Sequence, residues 1–232
     1  REDPDEASLL NRATQGRYNL GSTFKPFVAY SAWMSGLLSA ENEWYVDDGY
    51  YTAQTIDEDT CLENGGTIKC TWRNSWCSDF NRPCWYGDID VYWSLAMSSD
   101  AYYYRIGEMM YSYPNTDHEL LSEWLTVFGY GERTGIDLPD EWNGRVPDQE
   151  NKAALVELGV LHPSEVPQLL LGDVINLSIG QGLLGATPLQ LATAYGTIAN
   201  GGYVMTPRVV QAIYEPNTPA GVEPGTVDLA RG

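Results

Sequence analysis

Residues 21–27 read Gly-Ser-Thr-Phe-Lys-Pro-Phe and open a run, residues 24–38, that is apolar on nearly every side. An apolar surface all round is typical of a helix buried in the core. Pro26 has no N–H to donate and is tolerated only in the first turn of a helix, so this helix is predicted to begin close to Ser22. Ser22 and Lys25 are three residues apart and are therefore predicted to share one face of a central helix.

The composition indicates a folded but strongly acidic chain. Of its 232 residues, 43% are hydrophobic, with eight Trp and sixteen Tyr, while the formal net charge is -19. That length supports one sizeable core, or one domain with a subsidiary lobe. The negative charge repels phosphates and anionic lipid surfaces, so nucleic acid is excluded as a partner. No run reaches the roughly 18 to 20 apolar residues of a membrane span, and no targeting signal is recognised.

Four cysteines lie in a segment rich in Trp, Asn and Asp: Cys61, Cys70, Cys77 and Cys84. Their spacing contains no Cys-x-x-Cys pair, so it gives little support to a zinc site. Two disulfides formed in an oxidising compartment are the preferred interpretation, and the sequence leaves all three pairings open. The alternative is four free, partly buried thiols.

Capping residues and periodicity predict a mainly helical chain with few short strands. Strand structure is favoured at residues 50–52, and Asn-Gly-Gly at residues 64–66 is predicted to form a hairpin turn. Residues 129–147 and 203–213 are interpreted as extended segments, and residues 172–185 as a flexible crossing segment. Further helices are predicted from the N-cap Asp88, over residues 101–111 and 117–128, and from the N-cap Thr187 to Gly201.

The Ser22 hydroxyl and the Lys25 amine form a nucleophile beside a base. Lys25 must be neutral near pH 7 to accept a proton, and burial among apolar side chains lowers the pKa of a lysine. Ser-x-x-Lys spacing alone is a weak signal, because it also describes a serine near a helix start with a snorkelling lysine. His118 and His162, the only histidines, sit by turn-like segments, so a Ser-His-Asp triad is set aside.

Five segments together resemble one known family. Residues 11–27, which include the Ser-x-x-Lys pair, resemble the start of the active site in penicillin-binding protein transpeptidase domains of the monofunctional class B group. Residues 98–100, Ser-Ser-Asp followed by Ala-Tyr-Tyr-Tyr, resemble its Ser-x-Asn/Asp element. Thr-Gly-Ile-Asp-Leu-Pro at residues 134–139 and Gly-Gln-Gly at residues 180–182, with Thr-Pro-Leu-Gln-Leu-Ala at residues 187–192, resemble later landmarks in family order.

The resemblance covers about residues 7–213 and implies the α+β fold of penicillin-binding proteins and serine β-lactamases. Residues 1–232 are expected to be a partial transpeptidase domain, mainly its helical lobe with few short strands. The cysteines would occupy a surface lobe, residues 41–87, inserted between the first and second motifs. No Lys-Thr-Gly, the family's third motif, occurs in the sequence, so the chain is expected to end before the strand that carries it. Because that strand supplies an oxyanion-hole donor worth about 3 to 4 kcal/mol, we expect little penicillin acylation of this segment alone.

The resemblance also implies a role for each matching residue. Ser22 is expected to be the acylated nucleophile and Lys25 its general base. Ser98 is expected to pass the proton toward the leaving amine. Asp100 stands where many members have Asn, as in the elongation-type branch, and is expected to hold Lys25 and the substrate's amide. Since a carboxylate beside Lys25 favours the charged amine, other contacts are expected to offset Asp100.

The implied activity is that of a peptidoglycan D,D-transpeptidase that acts on D-Ala-D-Ala stem peptides and needs no cofactor. β-Lactams would trap the same serine, and other cell-wall synthesis proteins are candidate partners. The enzyme would sit on the extracytoplasmic face of the bacterial membrane through an N-terminal anchor outside this chain. Two alternatives remain. One is a serine β-lactamase or β-lactam sensor, against which the helix over residues 187–200 and Asp100 argue; the other is a non-catalytic binding or scaffold module lacking the third motif.

Overall fold

The computed structural model describes residues 10–62, 66, 68–75 and 84–211. These residues fall into two compact units. One includes Tyr18–Val127 and Arg145–Gly185; the other includes the described residues up to Arg17, Phe128–Gly144 and the described residues from Ala186 onward. Within the described residues, no helix is both long and apolar enough to cross a membrane. The elements are α1 Arg12–Gln15, α2 Lys25–Met34, β1 Tyr45–Asp47, β2 Tyr50–Thr52, β3 Thr71–Arg73, β4 Gly87–Ile89, α3 Val91–Ala96, α4 Asp100–Tyr111, α5 Leu120–Val127, α6 Gln149–Glu157, α7 Leu171–Ser178 and α8 Pro188–Ala199.

The predicted central helix is present and begins where Pro26 requires. A 3₁₀ turn over Gly21–Phe24 leads directly into α2. The helix ends at Met34 rather than at residue 38, because Gly36 adopts a left-handed φ of 70° that closes its carboxyl end. The prediction that it is buried all round is wrong on one side, where Trp33 and Met34 are 44% and 55% exposed.

Helices α4 and α7 pack closely in the larger unit. A Cβ at Gly107 of α4 would lie 2.9 Å from the Ser178 hydroxyl of α7, so glycine permits this approach. The prediction of a flexible crossing segment over residues 172–185 is therefore wrong for its first half. Asp173 accepts a hydrogen bond from the Leu170 amide at 2.9 Å and so caps the first turn of α7.

Other helix boundaries also differ from the prediction. Asp88 is not an N-cap, because it lies in β4, and Asp90 caps α3 by accepting from the Trp93 amide at 2.8 Å. Helix α6, with its Asp148 cap, was not predicted. The predicted N-cap Thr187 is confirmed, with the capping box that it forms at the start of α8.

The cysteine-containing segment forms two antiparallel strand pairs, β1 with β4 and β2 with β3. A disulfide joins Cys61 to Cys70, whose Cα atoms are 5.4 Å apart. Cys84 is also disulfide-bonded, whereas Cys77 and most of the predicted turn at residues 64–66 lie outside the described residues. Three of the four cysteines, Cys61, Cys70 and Cys84, are thus disulfide-bonded in the structure.

The same segment contributes buried side chains. Tyr51 and Trp72, each 7% exposed, pack in one apolar cluster with Tyr104 of α4. The buried carboxylate of Glu108 accepts from the Tyr51 hydroxyl and from the Gln54 amide at 2.8 Å. Strands β2 and β3 therefore pack against α4 through apolar contacts, and the buried carboxylate of Glu108 in α4 forms hydrogen bonds with Tyr51 of β2 and with Gln54 just after that strand.

In the other unit, two acidic side chains, one of them buried, hold the predicted extended segments. Glu141, 5% exposed, accepts from the Thr134 amide at 2.8 Å and the Thr134 hydroxyl at 2.6 Å. Asp137 accepts from the amides of Val209 and Val210 at 2.7 and 2.8 Å. These two donors hold the pKa of Asp137 below its usual value. No described residue from 129 to 147 is helical, as predicted.

Candidate active site

Ser22 and Lys25 occupy the turn in which the chain enters α2. The Lys25 amide donates to the Ser22 carbonyl, which closes the 3₁₀ turn. Residues i and i+3 eclipse each other in a 3₁₀ helix, so the two residues stack on one face as predicted. Ser22 is exposed, whereas Lys25 is only 1% exposed. The turn thus presents the hydroxyl to solvent and the amine to the interior.

The Lys25 amine converges on both predicted partners. Its Nζ donates to the Ser98 carbonyl at 2.8 Å and to Asp100 Oδ1 at 2.6 Å, and it lies 3.1 Å from Ser98 Oγ. As an ammonium, Lys25 can donate to all three oxygens. As a neutral amine, it can donate to the carbonyl and the carboxylate and turn its lone pair to the Ser98 hydroxyl. Both protonation states therefore fit the same three neighbours.

Burial lowers the pKa of Lys25 below its ordinary value. The negative charge and hydrogen bond of Asp100 act in the opposite direction, and the more distant charge of Asp47 does so as well. The net direction is nevertheless downward. The expected offset to Asp100 is therefore supplied by loss of solvent around the amine.

Ser98 presents its groups to Lys25 from a strained backbone. Its φ is 55°, a left-handed value that few non-glycine residues adopt. Ser98 lies in the turn between α3 and α4, and this conformation directs its carbonyl and its hydroxyl to the same amine. Local strain at this position is consistent with a functional turn held by its surroundings.

Residues that the sequence did not identify surround Asp100. The Ser75 amide donates to Asp100 Oδ2 at 3.0 Å, opposite the oxygen that contacts Lys25. Ser99 caps α4 by accepting from the Tyr102 amide at 3.0 Å, and its hydroxyl donates to the buried carboxylate of Asp47. No local sequence signal could have found Ser75, because the contact is made through its backbone.

The Gly-Gln-Gly segment contacts the Ser22 turn. The Gly21 amide donates to the Gly180 carbonyl at 2.9 Å. Gly180 has a φ of 71°, and a Cβ there would lie 2.7 Å from Phe24 Cβ and closer still to the backbone of Gly21. Only glycine therefore allows this segment to approach the turn. The approach places Gln181 beside the site.

The site residues share one cavity of about 240 Å³. Ser22, Ser98 and Asp100 all line it, so three of the four predicted catalytic residues meet solvent in one place, with Lys25 buried directly behind them. The remaining lining residues are Gly21, Ser75, Tyr86, Met97, Ile179 and Gln181.

The two histidines make other contacts. His118 stacks on Tyr111 with ring centroids 3.9 Å apart, and Nδ1 of His162 lies 2.7 Å from Ser164 Oγ. Neither lines the cavity. Among the described residues, no group of three or more His, Cys, Asp or Glu side chains is arranged to hold a metal ion.

Comparison with known proteins identifies the family. The model of the penicillin-binding protein transpeptidase domain matches residues 1–75 and 51–228. Peptidoglycan D,D-transpeptidase MrdA of Haemophilus influenzae is 31% identical over 205 residues, which cover 88% of this chain and 26% of that protein. The chain spans only about a quarter of the length of the curated relatives it matches.

Solved structures give the same result. The complex of penicillin-binding protein PBP2 with MreC from Helicobacter pylori matches with a TM-score of 0.66 and 27% identity, covering 92% of this chain and 33% of that one. Penicillin-binding protein 3 from Mycobacterium tuberculosis, complexed with aztreonam, matches with a TM-score of 0.58 and 27% identity, covering 88% and 36%. The expected fold, a mainly helical part of such a domain with few short strands, is confirmed.

Proposed function

This chain belongs to the penicillin-binding protein transpeptidase family, and we propose that it carries the acylation site of an elongation-type peptidoglycan D,D-transpeptidase. The observation that supports this most strongly is the convergence of the buried Lys25 amine on Ser98 and Asp100, at the wall of the cavity that Ser22 also lines. In this proposal, residues 41–87 are an insertion between the first and second motifs of a partial transpeptidase domain.

Acylation begins when Ser22 Oγ attacks the carbonyl carbon of the D-Ala-D-Ala peptide bond and Lys25, as the neutral amine, takes the hydroxyl proton. The C–N bond then breaks, and the Ser98 hydroxyl passes a proton to the leaving D-Ala amine while it regains one from Lys25. The product is an acyl-serine and free D-Ala. An amine of a neighbouring stem peptide attacks the acyl-serine, forms the cross-link and returns the proton to Ser22.

The surroundings of Lys25 suit both halves of this cycle. Its lowered pKa favours the neutral base before attack. Once the amine is protonated, the three oxygens around it stabilise the positive charge formed in the transition state. Asp100 acts here by holding Lys25 in place, and its second oxygen is already occupied by the Ser75 amide.

The solved relatives support proposals for the inhibitors and a partner of the complete protein, and the disulfide supports a proposal for its location. Aztreonam is bound in the mycobacterial structure, which supports β-lactams as traps of Ser22. The Helicobacter complex with MreC supports a further cell-wall synthesis protein as a partner of the complete protein. A disulfide between Cys61 and Cys70 supports an oxidising compartment, as expected of an enzyme on the extracytoplasmic face. In this proposal, an N-terminal anchor outside this chain holds the enzyme at the membrane.

Labelling of the complete protein with a fluorescent penicillin tests the proposal. We expect one long-lived adduct, mapped to Ser22 by mass spectrometry and abolished in Ser22→Ala. Ser39→Ala, which replaces a half-buried serine after α2, is the matched control and should label normally. Rapid turnover of the penicillin would instead identify a serine β-lactamase. Absence of any adduct in the folded protein would identify a non-catalytic binding module.

A further inference from the structure

Asn74, 4% exposed, follows the end of β3 and uses both ends of its amide. Its Nδ2 donates to the two carboxylate oxygens of Asp47, each at 2.9 Å, and to the Cys84 carbonyl at 2.7 Å. Its Oδ1 accepts from the Ala101 amide in the first turn of α4 at 2.7 Å. Asn74 therefore links β1 and β3 to the start of the helix that carries Asp100.

The next residue completes the link to the site. The Ser75 amide donates to Asp100 Oδ2 at 3.0 Å, while Asp100 Oδ1 contacts Lys25 at 2.6 Å. Asp100 is thus held from two sides, by the lysine and by a backbone donor adjacent to Asn74. Because this donor belongs to the backbone, its position depends on how residue 74 is anchored.

Asp47 closes the network on the other side. It is fully buried, and it accepts from the Ser99 hydroxyl as well as from Asn74. Ser99 in turn caps α4 through the Tyr102 amide. The result is a ring of hydrogen bonds from Asn74 through Asp47 and Ser99 to the first turn of α4, and back to Asn74 through Ala101.

The chemistry of the ring specifies an amide at position 74. The Asp47 carboxylate accepts a hydrogen bond and the Ala101 amide donates one, and a side-chain amide serves both through two different atoms without adding charge. An aspartate would place two carboxylates in contact in a buried site. An alanine would leave the Ala101 amide without its acceptor and would take one donor from each Asp47 oxygen, so that Asp47 keeps only the Gly49 amide and the Ser99 hydroxyl.

We propose that Asn74 is a positioning residue for acylation: it anchors the Ser75 amide and the first turn of α4, and through them it sets the contact between Asp100 and Lys25. This inference rests on the proposed function of Ser22 and Lys25. It assigns the cysteine-containing segment a direct part in forming the site, although Asn74 itself touches neither the cavity nor the amine.

The test measures fluorescent-penicillin acylation of the complete protein at saturating reagent, recording both the rate and the final number of labelled molecules. Asn74→Ala is expected to slow acylation roughly 10- to 100-fold, as expected for a misplaced catalytic group, while the endpoint stays at one label per molecule. The endpoint counts folded sites, whereas the rate reports their geometry. Asn42→Ala is the control, since Asn42 bridges the Leu37 carbonyl and the Ser39 amide in an exposed turn of the same unit.

A reduced endpoint with an unchanged rate would mean that Asn74 serves folding alone and would overturn the inference, as would an unchanged rate and endpoint. If the wild-type protein itself is not labelled, the proposed function fails instead.

Asp47→Asn is a second, isosteric variant. It tests whether the ring of hydrogen bonds influences acylation even if Asn74→Ala does not fold. Among the described residues, the charged groups that act on Lys25 are Asp100 of α4 and, farther away, Asp47 of β1, and the centroid of the titratable Tyr103 ring lies 5.5 Å from the amine. Removing the Asp47 charge should shift the rise of the acylation rate with pH toward lower pH, because that charge raises the pKa of Lys25. If the rate of acylation and its dependence on pH at the acid end were identical to those of the wild type, the ring of hydrogen bonds would have no influence on Lys25, and the inference would be wrong.

Discussion

Two buried lysines in the larger unit look alike and differ in what surrounds them. Lys25 and Lys152 are each 1% exposed, and each pairs with an aspartate in the first turn of a helix, Asp100 at 2.6 Å and Asp173 at 2.7 Å. Lys25 also meets a serine hydroxyl at a cavity wall, whereas Lys152 meets the Gln168 carbonyl. A carbonyl can hold an ammonium but cannot pass a proton onward. Burial and ion pairing alone therefore do not identify a catalytic base.

Replacing each lysine by methionine should separate the two sites most strongly. Lys25→Met should slow penicillin acylation about 10²- to 10⁴-fold, since it removes the general base, whereas Lys152→Met should acylate at the wild-type rate. Each variant removes the ammonium that pairs with an aspartate, so both should lose stability. The loss should be about 3 to 5 kcal/mol of unfolding free energy for Lys25→Met. The loss should be smaller for Lys152, because the Asp173 side chain is 25% exposed.

The acylation rate and the urea unfolding curve of each variant, compared with those of the wild type, would check both expectations. A Lys152→Met protein that is folded but slow to acylate would remove the distinction between the two lysines.

Two glycines offer a second contrast, one beside each lysine site. Gly180→Ala forces a left-handed residue and a clash with the Ser22 turn, so it should cost roughly 2 kcal/mol or more of unfolding free energy and slow acylation. Gly172→Ala, in the first turn of α7, meets no atom within 4 Å and should raise stability by up to about 1 kcal/mol. Thermal unfolding of both variants distinguishes them, and a Gly180→Ala protein with wild-type stability would refute the close approach.

The smallest expected effect concerns the second carboxylate near Lys152. Glu165 lies 3.8 Å from the amine, and its side chain is 43% exposed. Glu165→Gln should therefore change the free energy of unfolding by about 0.5 kcal/mol or less. Calorimetry at low and high salt would measure it. A loss several times larger would show that Lys152 depends on both carboxylates rather than on Asp173.

Much of the site was predictable because its residues lie in short local patterns. Pro26 marks the first turn of α2, three-residue spacing aligns Ser22 with Lys25, and the resemblance to the family joins residues 98–100 to them. The direction of the Lys25 pKa also followed from its apolar neighbours. These inferences need only local geometry and burial.

The rest depends on contacts between distant parts of the chain. Asn74 and Asp47 are 27 residues apart, and strand pairing brings them together beside α4 without any local signal. Helix α7 was missed because the glycines of residues 172–185 suggested a flexible segment, while its stability comes from packing against α4. Tertiary contacts of this kind override local propensity.

The pH dependence of penicillin acylation in the complete protein, compared between wild type and Asp100→Asn, tests the role of Lys25 as a neutral base most directly. Acylation should rise with pH as Lys25 loses its proton. Because Asp100 is the strongest influence that raises the pKa of Lys25, the amide variant should shift this acid limb to lower pH, whatever its maximal rate. An acid limb that stays in place or moves to higher pH would contradict Lys25 as the base.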